Sequence, residues 1–152
     1  MLFPTHVLFG IVAFLITKNW FNNGNVAIFF VLVLLGSILP DIDSPGSKIN
    51  QWSGIFGKWA TLLAEHRGYF HSVFFFGLLF LLISYFTSYY YGMALIIGYI
   101  AHIIGDGITP RGVKIFYPFS KLKFNGPIKV GSFSETVIFL GSTLLILIII
   151  LS

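Results

Sequence analysis

Five long apolar stretches, separated by turns and loops, constrain this chain more than any other feature. They are approximately Leu2–Trp20, Asn25–Leu39, Phe70–Tyr91, Gly92–Gly105 and Glu135–Ser152. Only 9% of the 152 residues are charged, against about 25% in soluble domains, so the chain suits an apolar solvent. A membrane span needs about 20 mostly apolar residues, and a helix satisfies its own backbone there. The chain is therefore predicted to be all-α, an integral membrane bundle of about five spanning helices in one transmembrane domain (1–152).

Two long loops and two short turns connect these stretches. The turns are predicted at Asn22–Asn25 and Tyr89–Gly92. The loops cover Pro40–Tyr69 and Asp106–Ser134. The first has the spacing of a short amphipathic helix in the membrane interface, with apolar residues Trp52, Ile55, Phe56, Trp59, Leu62 and Leu63. The second contains Phe116, Tyr117, Pro118 and Phe119 among lysines, which is again an interfacial pattern.

Several classes of protein are excluded by composition. The absence of cysteine excludes disulfides and thiolate metal sites. The net charge of +4 comes from dispersed basic residues, whereas a nucleic-acid-binding protein needs a basic patch or stripe. The N-terminal segment lacks a basic region and a small-residue cleavage site, so it is interpreted as a retained helix.

Chain order brings the polar residues to one face of the membrane. When the five spans alternate in direction, every histidine and every acidic residue falls on the same side: His6, Asp41, Asp43, Glu65, His66, His71, His102, Asp106 and Glu135. Eight basic residues share that side: Lys48, Lys58, Arg67, Arg111, Lys114, Lys121, Lys123 and Lys129. Only Lys18 lies opposite. Because short cytoplasmic loops carry the excess of Lys and Arg, the site is predicted to face the cytoplasm.

His102 and Asp106 are a candidate metal-binding pair. Their spacing of four residues places both side chains on one side of a helix. Their run is otherwise apolar, so two polar groups there are costly without a partner. The alternative is a helix-end histidine with a capping aspartate.

His66 and His71 bracket Arg67 where the third span begins. Neutral imidazole is the commonest metal ligand, and the guanidinium fork matches phosphate oxygens. These residues suit a site for metal and phosphate. The alternative is an interfacial anchor, with arginine snorkelling and the histidines facing water.

Asp41 and Asp43 follow the second span. Two carboxylates at this spacing point the same way if the segment is extended. One could then bridge two ions, or one could be a ligand while the other orients a histidine. The alternative is a polar turn that ends the helix.

Three further polar residues have open roles. Thr5 is expected to cap the first helix, which leaves His6 in its first turn. Arg111 is interpreted as a phosphate-binding residue or a topology signal. Glu135 opens the fifth span as a ligand, a general base or a carboxylate favoured at a helix N-terminus.

The whole cluster indicates metal chemistry. Nitrogen and oxygen ligands suit zinc, the first choice here, or manganese, iron or magnesium. The predicted ligands exceed the needs of one tetrahedral zinc, so one or two ions are expected. The predicted ligands are His6, Asp41, Asp43, His66, His71, His102 and Asp106. Two ions would hold the attacking and leaving oxygens of a phosphoryl displacement.

The same residues occur in the order of a known family. The motifs are Thr5-His6, Leu39-Pro40-Asp41-Ile42-Asp43, His66-Arg67 with His71-Ser72, and Gly98-Tyr99 with His102, Asp106, Thr109, Arg111 and Gly112. The chain resembles the YdjM-like family of inner-membrane metal-dependent hydrolases, which is distantly similar to zinc-dependent phospholipases C and single-strand-specific nucleases. The resemblance implies metal ligands at His6, Asp41 or Asp43, His66, His71, His102 and Asp106, and phosphoester hydrolysis. With four histidines, the chain does not carry over a trinuclear site.

The expected function is a multi-pass inner-membrane hydrolase. It would cleave a lipid or membrane-proximal phosphoester through metal-activated water, with catalytic roles for Asp43, Arg67, Arg111 and Glu135. A non-catalytic protein with a structural metal is one alternative, and a metal transporter is another. Transport sites lie near the bilayer midplane, whereas these ligands are expected at helix ends on one face.

Overall fold

The computed structural model describes residues 1–21, 24–63 and 67–151, and this part of the chain is helical, as predicted. Its α-helices are α1 (Phe3–Thr17), α2 (Val26–Ile38), α3 (Lys48–Trp52), α4 (Ile55–Leu63), α5 (Val73–Phe86), α6 (Tyr89–Gly107) and α7 (Phe133–Leu151). Two 3-10 turns, Leu39–Asp43 and Tyr69–His71, precede the loop helices and α5 respectively.

Helix α6 lies at the centre, packed against α1, α2 and α5, while α7 packs against α1. Glycines allow the tightest of these contacts. A Cβ atom on Gly98 would lie 1.9 Å from the carbonyl oxygen of Val33, and one on Gly36 would lie 2.2 Å from that of Leu95. Small residues of this kind let helix backbones approach closely in membrane proteins.

The predicted turn at Tyr89–Gly92 is wrong, because the break between the helices lies earlier. Helix α5 ends at Phe86, where the Thr87 hydroxyl donates to the carbonyl of Ile83 at 2.6 Å. The tyrosines already belong to α6. Gly92 serves packing instead, since its Cβ position lies 2.1 Å from Ser84 Oγ.

The long loops are ordered around the helix ends. The amphipathic segment predicted in the first loop forms α3 and α4, and Trp52, Phe56 and Trp59 on it are exposed. In the second loop, Val113 and Phe124 pair as an antiparallel bridge. The amide of Val73 donates to the carbonyl of Ile115 at 2.9 Å, which joins this loop to the start of α5.

Apolar side chains cover much of the outside of the bundle. On α7, the exposed ones include Leu140, Leu144, Leu147, Ile148 and Leu151. Within the described ranges, two segments are long and apolar enough to cross a membrane, Val26–Asp43 and Phe133–Leu151. The apolar helices α1 and α5 are shorter. The bundle of five spans therefore stays a prediction.

Candidate metal centre

Four predicted ligands come together at the C-terminal end of α6. Each of Asp41, His71, His102 and Asp106 offers a ligand atom within 4.8 Å of the others. Three of these side chains are fully buried, and that of Asp41 is 17% exposed. Side chains from α6 and from both 3-10 turns thus lie close together, as chain order predicts.

The orientation of His102 suits a metal ligand. Its Nδ1 lies 2.8 Å from the carbonyl oxygen of Ser37 at the end of α2. A carbonyl only accepts hydrogen bonds, so Nδ1 carries the proton and the lone pair belongs to Nε2. That Nε2 lies 3.8 Å from Asp106 Oδ2, on the same side of α6, as the spacing of four predicts.

His71 lies between the two aspartates that follow α2. Its Nδ1 is 3.5 Å from Asp43 Oδ2, and its Nε2 is 4.0 Å from Asp41 Oδ1. Of the two alternatives, the structure has a turn and not an extended segment: both aspartates lie in a 3-10 turn, where residues two apart are rotated by about 240°. The carboxylates consequently approach different nitrogens of His71. Asp43 is placed to orient the ring and Asp41 to share the centre with it.

The two Nε2 atoms of His71 and His102 are only 3.3 Å apart. When their Nδ1 protons are directed to Asp43 and Ser37, two lone pairs face each other beside two carboxylates. Such an arrangement needs a cation or a proton at its centre. Burial opposes protonation of His71, but the nearby carboxylates of Asp106 and Asp43, 3.7 Å and 3.5 Å from its ring nitrogens, raise the pKa of this imidazole above its usual value.

Arg67 belongs to the interior of the site. Its Nη2 lies 2.7 Å from Asp106 Oδ2, and its Nη1 donates to the carbonyl of Gly112 at 3.0 Å. Its amide donates to Asp43 Oδ2 at 3.1 Å, and its φ is 61°, which is unusual for a non-glycine residue. These contacts favour a site residue over the alternative of a snorkelling anchor.

His6 joins the cluster from α1. Its ring stacks on that of His102 with centroids 4.0 Å apart, and its Nε2 lies 3.3 Å from Asp106 Oδ1. A Cβ on Gly105 would approach the His6 ring to 3.2 Å, so glycine makes room for this stacking. The terminal amine of Met1 also contacts Asp106 Oδ1.

Glu135 holds the beginning of α1. It accepts hydrogen bonds from the Leu2 amide at 2.7 Å, the Thr5 hydroxyl at 3.1 Å and the Gly131 amide at 2.6 Å. The expected cap at Thr5 is wrong, because α1 already begins at Phe3 and the Thr5 hydroxyl reaches Glu135. Glu135 is not one of the four clustered ligands, so its contacts favour a positioning role.

A cavity of about 720 Å³ opens beside the centre. Asp41 and Arg67 connect it to the buried cluster, and Arg111 lies on its wall. Two other wall residues, Lys48 and Lys129, are recognisable from sequence only as topology signals. The Ser37 carbonyl has no side-chain signature and could not be predicted. The predicted ligand His66 lies outside the described residues.

The chain is similar to membrane proteins of bacteria. A model of the family described as "YdjM inner membrane protein" matches residues 1–152. "Uncharacterized protein YvsG" of Bacillus subtilis (strain 168) is 35% identical over 118 residues, 72% of this chain and 70% of that protein. "Inner membrane protein YdjM" of Escherichia coli (strain K12) is 30% identical over 105 residues, 64% of this chain and about half (52%) of that protein.

No solved structure matches the chain significantly. The names of the family and of the Escherichia coli relative support the predicted inner-membrane location. With its full length matched, this chain belongs to the YdjM inner membrane protein family.

Proposed function

We propose that this protein is a membrane-embedded metal-dependent hydrolase that cleaves a lipid or membrane-proximal phosphoester. The observation that carries the proposal is the facing pair of imidazole Nε2 atoms, 3.3 Å apart, beside two carboxylates. Each ring is oriented from behind by an acceptor, which is typical of metal-ligating histidines. Nitrogen and oxygen donors suit zinc first, and manganese, iron or magnesium as alternatives.

The protein side chains divide into ligands and phosphate-binding groups. His71, His102, Asp41 and Asp106 would hold one ion, and a second ion would need further ligands such as His6. When bound, the metal supplies a water molecule of lowered pKa as nucleophile. Arg111 on the cavity wall binds phosphate oxygens, while Arg67 holds Asp106 and lines the same cavity.

The membrane arrangement follows from the exposed apolar surface. Helices α1, α2, α5, α6 and α7 form five spans, with the metal centre near one surface of the bilayer. The excess of basic residues on that side orients the centre toward the cytoplasm. A lipid phosphate at headgroup depth can then reach the cavity without leaving the membrane.

A structural metal site is the second candidate. Four protein ligands can complete the tetrahedral coordination of zinc, which leaves no position for water. The cavity at Asp41 favours the hydrolase, because one ligand of the centre remains accessible from it. A transporter is the third candidate, and its site is expected near the bilayer midplane.

Metal content and phosphoesterase activity test the proposal together. The purified protein, His102→Ala and Tyr85→Ala would be reconstituted with each divalent ion, dialysed and assayed on lipid phosphomonoesters and phosphodiesters. We expect metal and activity in the unsubstituted protein, loss of both in His102→Ala, and retention in Tyr85→Ala, whose ring is 84% exposed on α5. Metal without activity on any phosphoester would support the structural site. Full metal content in His102→Ala would contradict the proposed centre.

A further inference from the structure

The cavity beside the metal centre has a basic wall. Among the described residues, the charged side chains that line it are those of Asp41, Lys48, Arg67, Arg111 and Lys129. Arg67 is engaged with Asp106, whereas Lys48 in the first long loop and Arg111 and Lys129 in the second are exposed. We call these three residues the basic rim. Because they come from separate parts of the chain, only the fold brings them to one opening.

The basic rim is built into the site. Ser47 caps α3, since its Oγ accepts a hydrogen bond from the Asn50 amide at 3.1 Å. The same hydroxyl donates to the carbonyl of Asp41 at 2.6 Å. Lys48, the first residue of α3, is thereby held next to a metal-centre residue. Its ammonium lies 5.2 Å from the centroid of the Phe3 ring, within cation–π range.

The charges of the centre and of the basic rim together indicate the charge of a matching ligand. The described groups of the centre include three carboxylates, on Asp41, Asp43 and Asp106, and two cations, the Arg67 guanidinium and the terminal amine of Met1. With one divalent ion bound and the histidines neutral, this group therefore carries no net negative charge. The rim then adds three positive charges, and among the described lining residues Asp41, already counted in the centre, is the sole carboxylate. A substrate of matching charge carries at least two negative charges.

Much of the remaining cavity wall is apolar, although Ser44 and Ser47 also line it. Leu2, Phe3, Pro4 and Val130 line it, and Leu2 and Val130 are both nearly half exposed. An ion that binds only through its charges gains nothing from such a wall. An amphiphile gains in two ways, because its phosphate contacts the rim and its apolar part is removed from water.

We propose that this cavity selects a phosphate-bearing amphiphile with at least two negative charges on its headgroup. A terminal phosphomonoester or a diphosphate on an apolar tail meets this requirement, and a zwitterionic phosphodiester lipid does not. The inference rests on the proposed function for the reaction that follows binding. Binding itself is measurable without turnover.

The test compares two triple variants with equal changes in charge. The rim variant combines Lys48→Gln, Arg111→Gln and Lys129→Gln. The control combines Lys58→Gln, Lys121→Gln and Lys123→Gln, three exposed lysines that do not line the cavity. Each protein would be reconstituted in phosphatidylcholine nanodiscs and titrated with phosphatidic acid, while glycerol 3-phosphate and inorganic pyrophosphate serve as soluble probes.

We expect the rim variant to bind phosphatidic acid at least tenfold more weakly than the unsubstituted protein, because three charge-assisted contacts are lost. The control should bind within twofold of it. Glycerol 3-phosphate should bind more weakly than the lipid, since it lacks the apolar tail. Equal binding by rim variant and control would overturn the inference, as would binding of glycerol 3-phosphate as tight as that of phosphatidic acid.

Metal content and turnover separate this inference from the proposed function. Rim-dependent binding of phosphatidic acid without hydrolysis would support the cavity's selectivity and count against the hydrolase. Hydrolysis of phosphatidylcholine in preference to phosphatidic acid, unaffected in the rim variant, would overturn the selectivity and support the hydrolase. The rim variant should retain full metal content, because none of its three residues belongs to the clustered ligands.

Discussion

The two halves of the continuous helix α6 bury different kinds of side chain. In the N-terminal half, Tyr90, Ala94 and Leu95 are buried among aromatic and aliphatic side chains from α2 and α5. In the C-terminal half, the equivalent buried positions are His102 and Asp106, both with no exposed surface. Buried polar groups are costly, especially at membrane depth, unless their partners are held in place. The apolar half therefore provides the rigid spacing that the polar half needs.

The junction between the halves shows how this spacing is transmitted. Gly98 contacts the α2 backbone at Val33, one turn before the point where Ser37 orients His102. The distance between α2 and α6 thus sets both the apolar packing and the hydrogen bond that orients His102, a proposed metal ligand. Stability and site geometry should consequently respond differently to substitutions in the two halves.

The largest effect is expected from Gly98→Ala. Its new Cβ atom would lie 1.9 Å from a backbone oxygen, so the two helices must separate. We expect a loss of more than about 3 kcal/mol of stability, at the upper end of overpacking costs. The matched control is Gly77→Ala on α5, whose Cβ position has no neighbour within 4 Å. That change should be neutral or stabilising by up to about 1 kcal/mol, through helix propensity.

Thermal unfolding of both glycine variants in detergent would measure this difference. Metal content should fall in Gly98→Ala even though no ligand has been changed, because Ser37 moves away from His102. An unfolding temperature within a degree of the unsubstituted protein in both variants would show that the α2–α6 contact does not set the fold.

A smaller effect is expected from Arg67→Lys in the polar half. Lysine keeps the charge but cannot reproduce the fork that contacts both Asp106 and the Gly112 carbonyl. We expect a loss of about 1.5–3 kcal/mol, the range for hydrogen bonds that involve charged groups. Arg111→Lys is the control, since Arg111 is exposed, and it should change stability by less than about 0.5 kcal/mol.

Chemical unfolding of the two arginine variants decides whether the polar half contributes to stability. Equal stabilities of the two variants would mean that Arg67 acts only on substrate. The apolar half, and not the polar half, would then stabilise the bundle. A loss of stability in Arg67→Lys alone would show that the ion pair between Arg67 and Asp106 in the polar half also stabilises the fold.

The sequence predicted the polar cluster better than the apolar fold around it. The pairing of His102 with Asp106 follows from helical periodicity, and the approach of His71 and Asp41 follows from chain order. By contrast, Gly92 resembled a turn residue because nothing local distinguishes a turn from a close contact with Ser84. Strand or helix periodicity also does not predict a 3-10 turn. That turn determines which nitrogens of His71 the carboxylates of Asp41 and Asp43 approach.

Long-range hydrogen bonds account for the other differences. Thr5 has the side chain of a helix cap, but Glu135, 130 residues away in sequence, accepts its hydroxyl. The Ser37 carbonyl orients His102 without contributing any side-chain signal. Backbone acceptors and partners from distant segments depend on the assembled fold, so local sequence patterns cannot indicate them.

The smallest effect is expected from Tyr99→Phe, at the boundary between the halves. The Tyr99 ring stacks on Phe76 in the apolar half, and its hydroxyl donates to the backbone carbonyl of His71 at 2.8 Å. Removal of the hydroxyl alone should cost about 1 kcal/mol, since the ring packing remains. Tyr85→Phe, with a ring that is 84% exposed, should cost nothing measurable. Because the bond holds the 3-10 turn that carries His71, we also expect weaker metal binding in Tyr99→Phe, measured by competition with a chelator. Unchanged metal affinity together with reduced stability would place Tyr99 wholly in the apolar half, and the boundary between the halves would then lie closer to His102.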